Sequence, residues 1–128
     1  MKRNKVGRKR ERGAVAVEFA LIAPVLLLIV VSIVEFSHFF NLQISVTQAA
    51  REAARTMAVT NDAGQAAAAA VTGAPGVGLS AANVAFAPGA CSPGDTVTAT
   101  VTFSMPAMTG FFGPTVSVNG QGAMRCGG

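Results

Sequence analysis

The 128-residue chain has no Trp, no Tyr and a single His, His38. Without Trp or Tyr, the aromatic belt of a membrane anchor has to come from Phe alone, at Phe36, Phe39 and Phe40. With one His, placed beside an apolar run, no nucleophile has a base to activate it. No carboxylate cluster surrounds either cysteine, so no metal site is expected. No Gly-rich phosphate loop stands between a strand and a helix. These absences predict a protein that is not an enzyme and uses no cofactor, metal or small-molecule substrate.

Lys is also absent after Lys9. Residues 1–13 hold seven basic side chains against Glu11, a net of +6, whereas residues 14–128 hold Arg51, Arg55 and Arg125 against five carboxylates, a net of −2. The basic character belongs to the N-terminal arm. No aromatic residues interleave with its charges, so a nucleic-acid partner is not expected. The arm abuts an apolar run and reads as a topology signal that keeps the N-terminus in the cytoplasm.

That run, Ala14 to Val34, carries one charge, Glu18. As a helix it is about 31 Å long, enough to cross a bilayer. Pro24 lies inside it and is expected to kink it. The sequence that follows, EFSHFFNLQIS, has no small-residue cleavage site and no Cys to take a lipid, so the span is expected to stay in the protein. A carboxylate in lipid is costly unless paired. Glu18 is read either as an assembly contact or as a residue one turn inside the cytoplasmic interface. Glu35 is placed at the outer interface, as a solvated boundary residue or a second assembly contact, with His38 within reach.

Beyond the span, Phe36, Phe39, Phe40, Val46, Ala50, Ala53 and Met57 recur at helical spacing, so one helix is predicted from about Ala14 to Ala58. Its outer half presents an apolar face, with Arg51, Glu52 and Arg55 as solvated positions. Asn61 or Asp62 is expected to cap a short second helix that ends near Gly73 and Pro75, with Gly64 weakening it. Then the period changes. NVAFA (83–87) reads as a short strand. DTVTATVTFSM (95–105) alternates Val97, Ala99, Val101 and Phe103 with Thr98, Thr100 and Thr102. The segment 114–126 gives a third strand region whose NGQG is a turn or a bulge. The loop between them brings Phe111 and Phe112 together, either packed back on the long helix or exposed as a docking loop. Cys91 and Cys126 lie in the part expected outside the membrane, where they form one bridge or remain two buried thiols.

The fold class predicted is α+β: a long transmembrane helix continuing outside, a short helix and a small antiparallel sheet. The divisions are a basic leader (1–13), the helix (14–58) and an extracytoplasmic domain (59–128).

A basic arm, Gly13, four small or apolar residues, then Glu18 and Phe19 ahead of the span resembles the class III signal of type IV pilins and pseudopilins. RGAVAVEFALIAPVLLLIVVSIVEF with the later QAAREAAR resembles the TadE-like family, pilin-like minor pseudopilins of the tight-adherence apparatus that makes Flp pili. The matching residues cover about 12–58. The resemblance implies cleavage by a prepilin peptidase between Gly13 and Ala14. It implies that Glu18, with Phe19 beside it, serves assembly by meeting the new terminal ammonium of a neighbour. The implied partners are the membrane, the peptidase, other pilin-like subunits and platform proteins. The implied location is the cytoplasmic membrane, single-pass, with the C-terminal domain periplasmic or extracellular. The alternative is an uncleaved single-pass anchor whose outer domain binds another envelope protein or a surface.

Overall fold

A computed structural model describes residues 6–127. The chain divides into two units, Met1–Phe36 and Ser37–Gly128. The elements in order are α1 (Val6–Thr60), α2 (Ala63–Gly73), a 3₁₀ turn (Ala81–Asn83), β1 (Val84–Ala87), β2 (Thr96–Pro106) and β3 (Thr115–Arg125). This is the expected α+β arrangement. The first unit is helical throughout its described length. Helix therefore includes residues 6–13, which lie in the basic leader ahead of the helix start predicted at about Ala14; residues 1–5 fall outside the described segment. Arg, Lys and Glu are good helix formers, and propagation from an adjoining helix needs no new nucleus.

In the second unit α1 ends where Asn61 turns left-handed, with φ 50°. Its N–H donates to the Met57 carbonyl at 2.9 Å and closes the last turn. The cap of α2 is Asp62, whose Oδ1 accepts from the Gln65 N–H at 3.0 Å while Oδ2 accepts from Gln65 Nε2 at 3.2 Å. Gly64 serves this cap, because a Cβ there would lie 3.2 Å from Asp62 Oδ1.

The sheet is an antiparallel meander in the order β1-β2-β3. The Thr/Val alternation of β2 sorts as the sequence requires: Val97, Ala99 and Val101 are fully buried, while their Thr neighbours are partly or fully exposed. The buried face packs on the outer half of α1, against Leu42, Val46, Ala49, Ala50, Ala53 and Ala54. A second cluster joins Met57, Ala58, Ala66, Val97 and Cys126. Phe39 is partly buried against this core, but Phe40, assigned by its spacing to the same stripe, is exposed.

NGQG is neither turn nor bulge. Residues 119–122 pair in unbroken register with β2, Gly120 opposite Val101 and Gly122 opposite Ala99. Both glycines face α1. A Cβ on Gly120 would lie 2.5 Å from the Val46 carbonyl oxygen, and one on Gly122 would lie 2.6 Å from the Ala50 carbonyl oxygen. Glycine is used here for close approach of strand backbone to helix backbone, not for a bend. Gln43 Nε2 fastens the same contact by donating to the Asn119 carbonyl at 2.7 Å.

Candidate functional site

The apolar start of α1 is the first feature that needs an explanation outside the chain. Val15, Val17, Phe19, Leu21, Ile22 and the aliphatic side chains that follow are all exposed, Phe19 at 70%. The most apolar window has a mean hydropathy of 2.8 and none of it is buried within the protein. A helix serving as a soluble core would bury these side chains; this one presents them all round. It is long and apolar enough to cross a membrane. Pro24 lies within α1 without ending it. Having no N–H, it leaves the Ala20 carbonyl without its usual donor.

Glu18 sits in this segment and is exposed, as are Gly13, Ala14 and Phe19. Nothing lies within 4 Å of the position a Cβ would take on Gly13. Glu18 is four residues after Ala14 and five after Gly13. Ala14 and Glu18 therefore share one helix face a single turn apart, with Cβ atoms about 5–6 Å from each other. The Gly13–Ala14 bond itself is helical. Glycine is the weakest ordinary helix former, worth about 1 kcal/mol less than Ala, so the helix is locally weakest at that bond.

Glu35 departs from the expectation of a solvated carboxylate: it is buried, with 8% of its surface exposed. Counting residues along the apolar run places it at a boundary, but such a count does not report burial. Arg51, Glu52 and Arg55 are exposed, as a solvated helix face requires.

At the far end of the second unit Cys91 and Cys126 are joined in a disulfide, with Cα atoms 5.6 Å apart. The loop carrying Cys91 is fastened to the α1–α2 corner, since the Cys91 N–H donates to Asn61 Oδ1 at 2.6 Å. The strand end carrying Cys126 is held by its N–H to the Asp95 carbonyl at 2.8 Å, and Gly127 N–H reaches the Ala58 carbonyl at 3.4 Å. Nearby, the Gln65 N–H bond to the exposed Asp62 carboxylate holds its pKa below the usual 3.8, opposed by desolvation and aided by the Gly64 N–H and the Gln65 side chain.

Phe111 and Phe112 lie in the segment between β2 and β3. They are 63% and 55% exposed in the β2–β3 loop, stacked edge to face with ring centres 5.3 Å apart. A tight turn holds them outward: Gly110 and Gly113 have φ of 69° and 122°, and the Gly113 N–H donates to the Gly110 carbonyl. Met108, 60% exposed, belongs with them. Sequence reading missed Met108, although MPAMTGFFGP carries no charge that would mark a solvated loop. It also missed the role of Gly120 and Gly122, which continue the period-two pattern of Val116 and Val118.

A family model described as TadE-like protein matches residues 13–55, in agreement with the sequence resemblance. The match begins at Gly13 and takes in Glu18, the span and the Ala-Arg-Glu helix, about a third of the chain. No curated protein and no solved structure matches the chain.

Proposed function

We propose, taking residues 13–55 as a TadE-like segment, that the chain is a pilin-like minor subunit of a tight-adherence pilus apparatus. It is stored in the cytoplasmic membrane through Ala14–Val34, with the basic arm inside and residues 37–128 outside. A prepilin peptidase cuts between Gly13 and Ala14. The Ala14 ammonium so created pairs with the Glu18 carboxylate of a neighbouring subunit, or the reverse. In lipid an unpaired carboxylate costs several kcal/mol. Glu18 thereby penalises a lone subunit and favours one docking register with other subunits and with platform proteins. The role is structural rather than catalytic.

The observation that carries this reading is the exposed Gly13, Ala14, Glu18 and Phe19 at the head of the apolar, exposed first part of α1, inside the TadE-like match. The intact mass of the membrane-extracted protein tests it. Loss of residues 1–13 is expected. A full-length mass from cells with active prepilin peptidase would refute processing and leave an uncleaved single-pass anchor, a reading favoured by the helix that runs unbroken across Gly13–Ala14.

A further inference from the structure

The β2–β3 loop presents Met108, Phe111 and Phe112 outward. No charged residue occurs between Asp95 and Arg125, so the loop and both its strands are uncharged up to Arg125, the last residue of β3. The position of this tip follows from three ties between β3 and α1 within the second unit. Gln43 bonds to Asn119, Gly120 abuts Val46 and Thr47, and Gly122 abuts Ala50 and Arg51. The numbers rise together, so β3 runs in the same direction as α1. Two strand residues advance about 6.6 Å while four helix residues advance about 6 Å, so the two keep pace. At that pace Val118 lies level with Leu42, and both are buried. Val116 comes level with Phe39, and both pack against the common core. The last ladder pair, Pro106 and Thr115, then lies level with Ser37, the first residue of this unit. The ladder is prolonged by the Ala107 N–H, which donates to the Pro114 carbonyl at 3.1 Å. The loop continues past that pair by up to about 10 Å.

The tip therefore lies at the end of the unit where the chain enters it from the apolar span. We propose that Met108, Phe111 and Phe112 form a second membrane contact, seated at the boundary between lipid headgroups and acyl chains. The proposal rests on the reading that Ala14–Val34 spans a membrane. Three features favour lipid over a protein partner. The span ends just before Ser37, so on that reading the chain leaves the bilayer at the end of the unit that carries the tip. Phe40, also exposed, lies one turn past Ser37 on the same end of the unit. The uncharged strands carry no complementary charge that a protein surface would read, and aromatic side chains favour the interfacial zone. A membrane contact at two points constrains the outer unit more than the span alone does.

The absence of native Trp makes the test direct. Full-length chains carrying Leu27→Trp, Phe111→Trp or Ser92→Trp are reconstituted singly into phosphatidylcholine vesicles, with or without brominated acyl chains. Ser92 lies beside the disulfide at the opposite end of the unit. Phe111→Trp is expected to show blue-shifted emission quenched by bromine placed high on the acyl chain, at every protein-to-lipid ratio. Ser92→Trp is expected to emit as in water and resist quenching. If Leu27→Trp is quenched by deep bromine and Phe111→Trp is not, the tip proposal fails and the membrane span stands. If Leu27→Trp is not quenched, the spanning reading falls and the proposal with it. A blue shift of Phe111→Trp confined to high protein-to-lipid ratios would show a second copy covering the tip and would also overturn it.

Discussion

Replacing Gly120 or Gly122 with Ala tests the packing of β3 on α1, because the sign of the effect separates two descriptions. In an open strand Gly→Ala stabilises by about 0.4–1 kcal/mol, through reduced freedom of the unfolded chain. Here the new methyl group meets backbone. It lies 2.5–2.7 Å from Val46 O, Val46 C and Thr47 N at Gly120, and 2.6–2.7 Å from Ala50 O, Ala50 C and Arg51 Cα at Gly122. Ordinary contact needs about 3.5 Å, so strand and helix must part by about 1 Å. The whole contact moves, because neither partner is a side chain that can swing aside. A gap of that size forfeits a quarter to a half of the dispersion well at each neighbouring contact, among them Val118 and Val101. Overpacking of this kind costs about 1–3 kcal/mol, and two rigid backbones place these sites near the top of that range.

Hydrogen exchange on the detergent-solubilised full chain reads the outcome at the amides of Thr96–Arg125. A loss of about 2–3 kcal/mol lowers protection roughly 30- to 140-fold. The double variant should cost less than the two single variants summed, since the first methyl opens the gap that the second occupies. Gly76, where a Cβ meets nothing within 4 Å, supplies the control. Unchanged or raised protection in Gly122→Ala would refute the close approach.

Three further outcomes are expected. Replacing both Cys91 and Cys126 with Ser opens a bridge spanning 35 positions and should cost about 4 kcal/mol in the chain-entropy model, read as a fall in the thermal midpoint by circular dichroism. The Asp62 carboxylate has a lowered folded-state pKa, so its stabilisation is present above the unfolded value of 3.8 and fades as pH falls through the folded one. Exchange protection of α2 should therefore drop on acidification, and Asp62→Asn, which keeps a capping side chain, should flatten that pH dependence. Glu18→Ala should reach the membrane at the normal level yet be missing from pili sheared off cells, and its normal presence there would sink the assembly role of Glu18.

Much of the fold was legible because it rests on local chemistry. Thr and Val alternate in β2, Asp62 stands ahead of an Ala run, and one carboxylate marks the head of a lipid-length helix. What was not legible depends on neighbours distant in sequence. NGQG has the composition of a turn, and only the α1 backbone facing it makes glycine a packing residue. Glu35 sits where a count of apolar residues ends, which says nothing of its burial. Phe111 and Phe112 carry the composition of a core, but in a loop flanked by left-handed Gly110 and Gly113 both rings remain more than half exposed. Of the proposed assembly site, the spacing Gly13–Glu18 was readable; the helical state of the Gly13–Ala14 bond was not, because propagation from the span outweighs the local cost of Gly13.

The contact between α1 and the sheet is made largely of Ala49, Ala50, Ala53, Ala54, Ala99, Gly120 and Gly122. Such residues have almost no rotamers to lose on burial, so ordering them costs little side-chain entropy, although each hides little apolar area. The same economy removes any means of adjustment. A Leu or Met interface absorbs misfit by changing χ angles, whereas Ala and Gly can respond only by moving backbone. The outer unit is therefore joined to its helix at one distance and in one register, and a change at a single Cβ is transmitted as a displacement of the whole sheet.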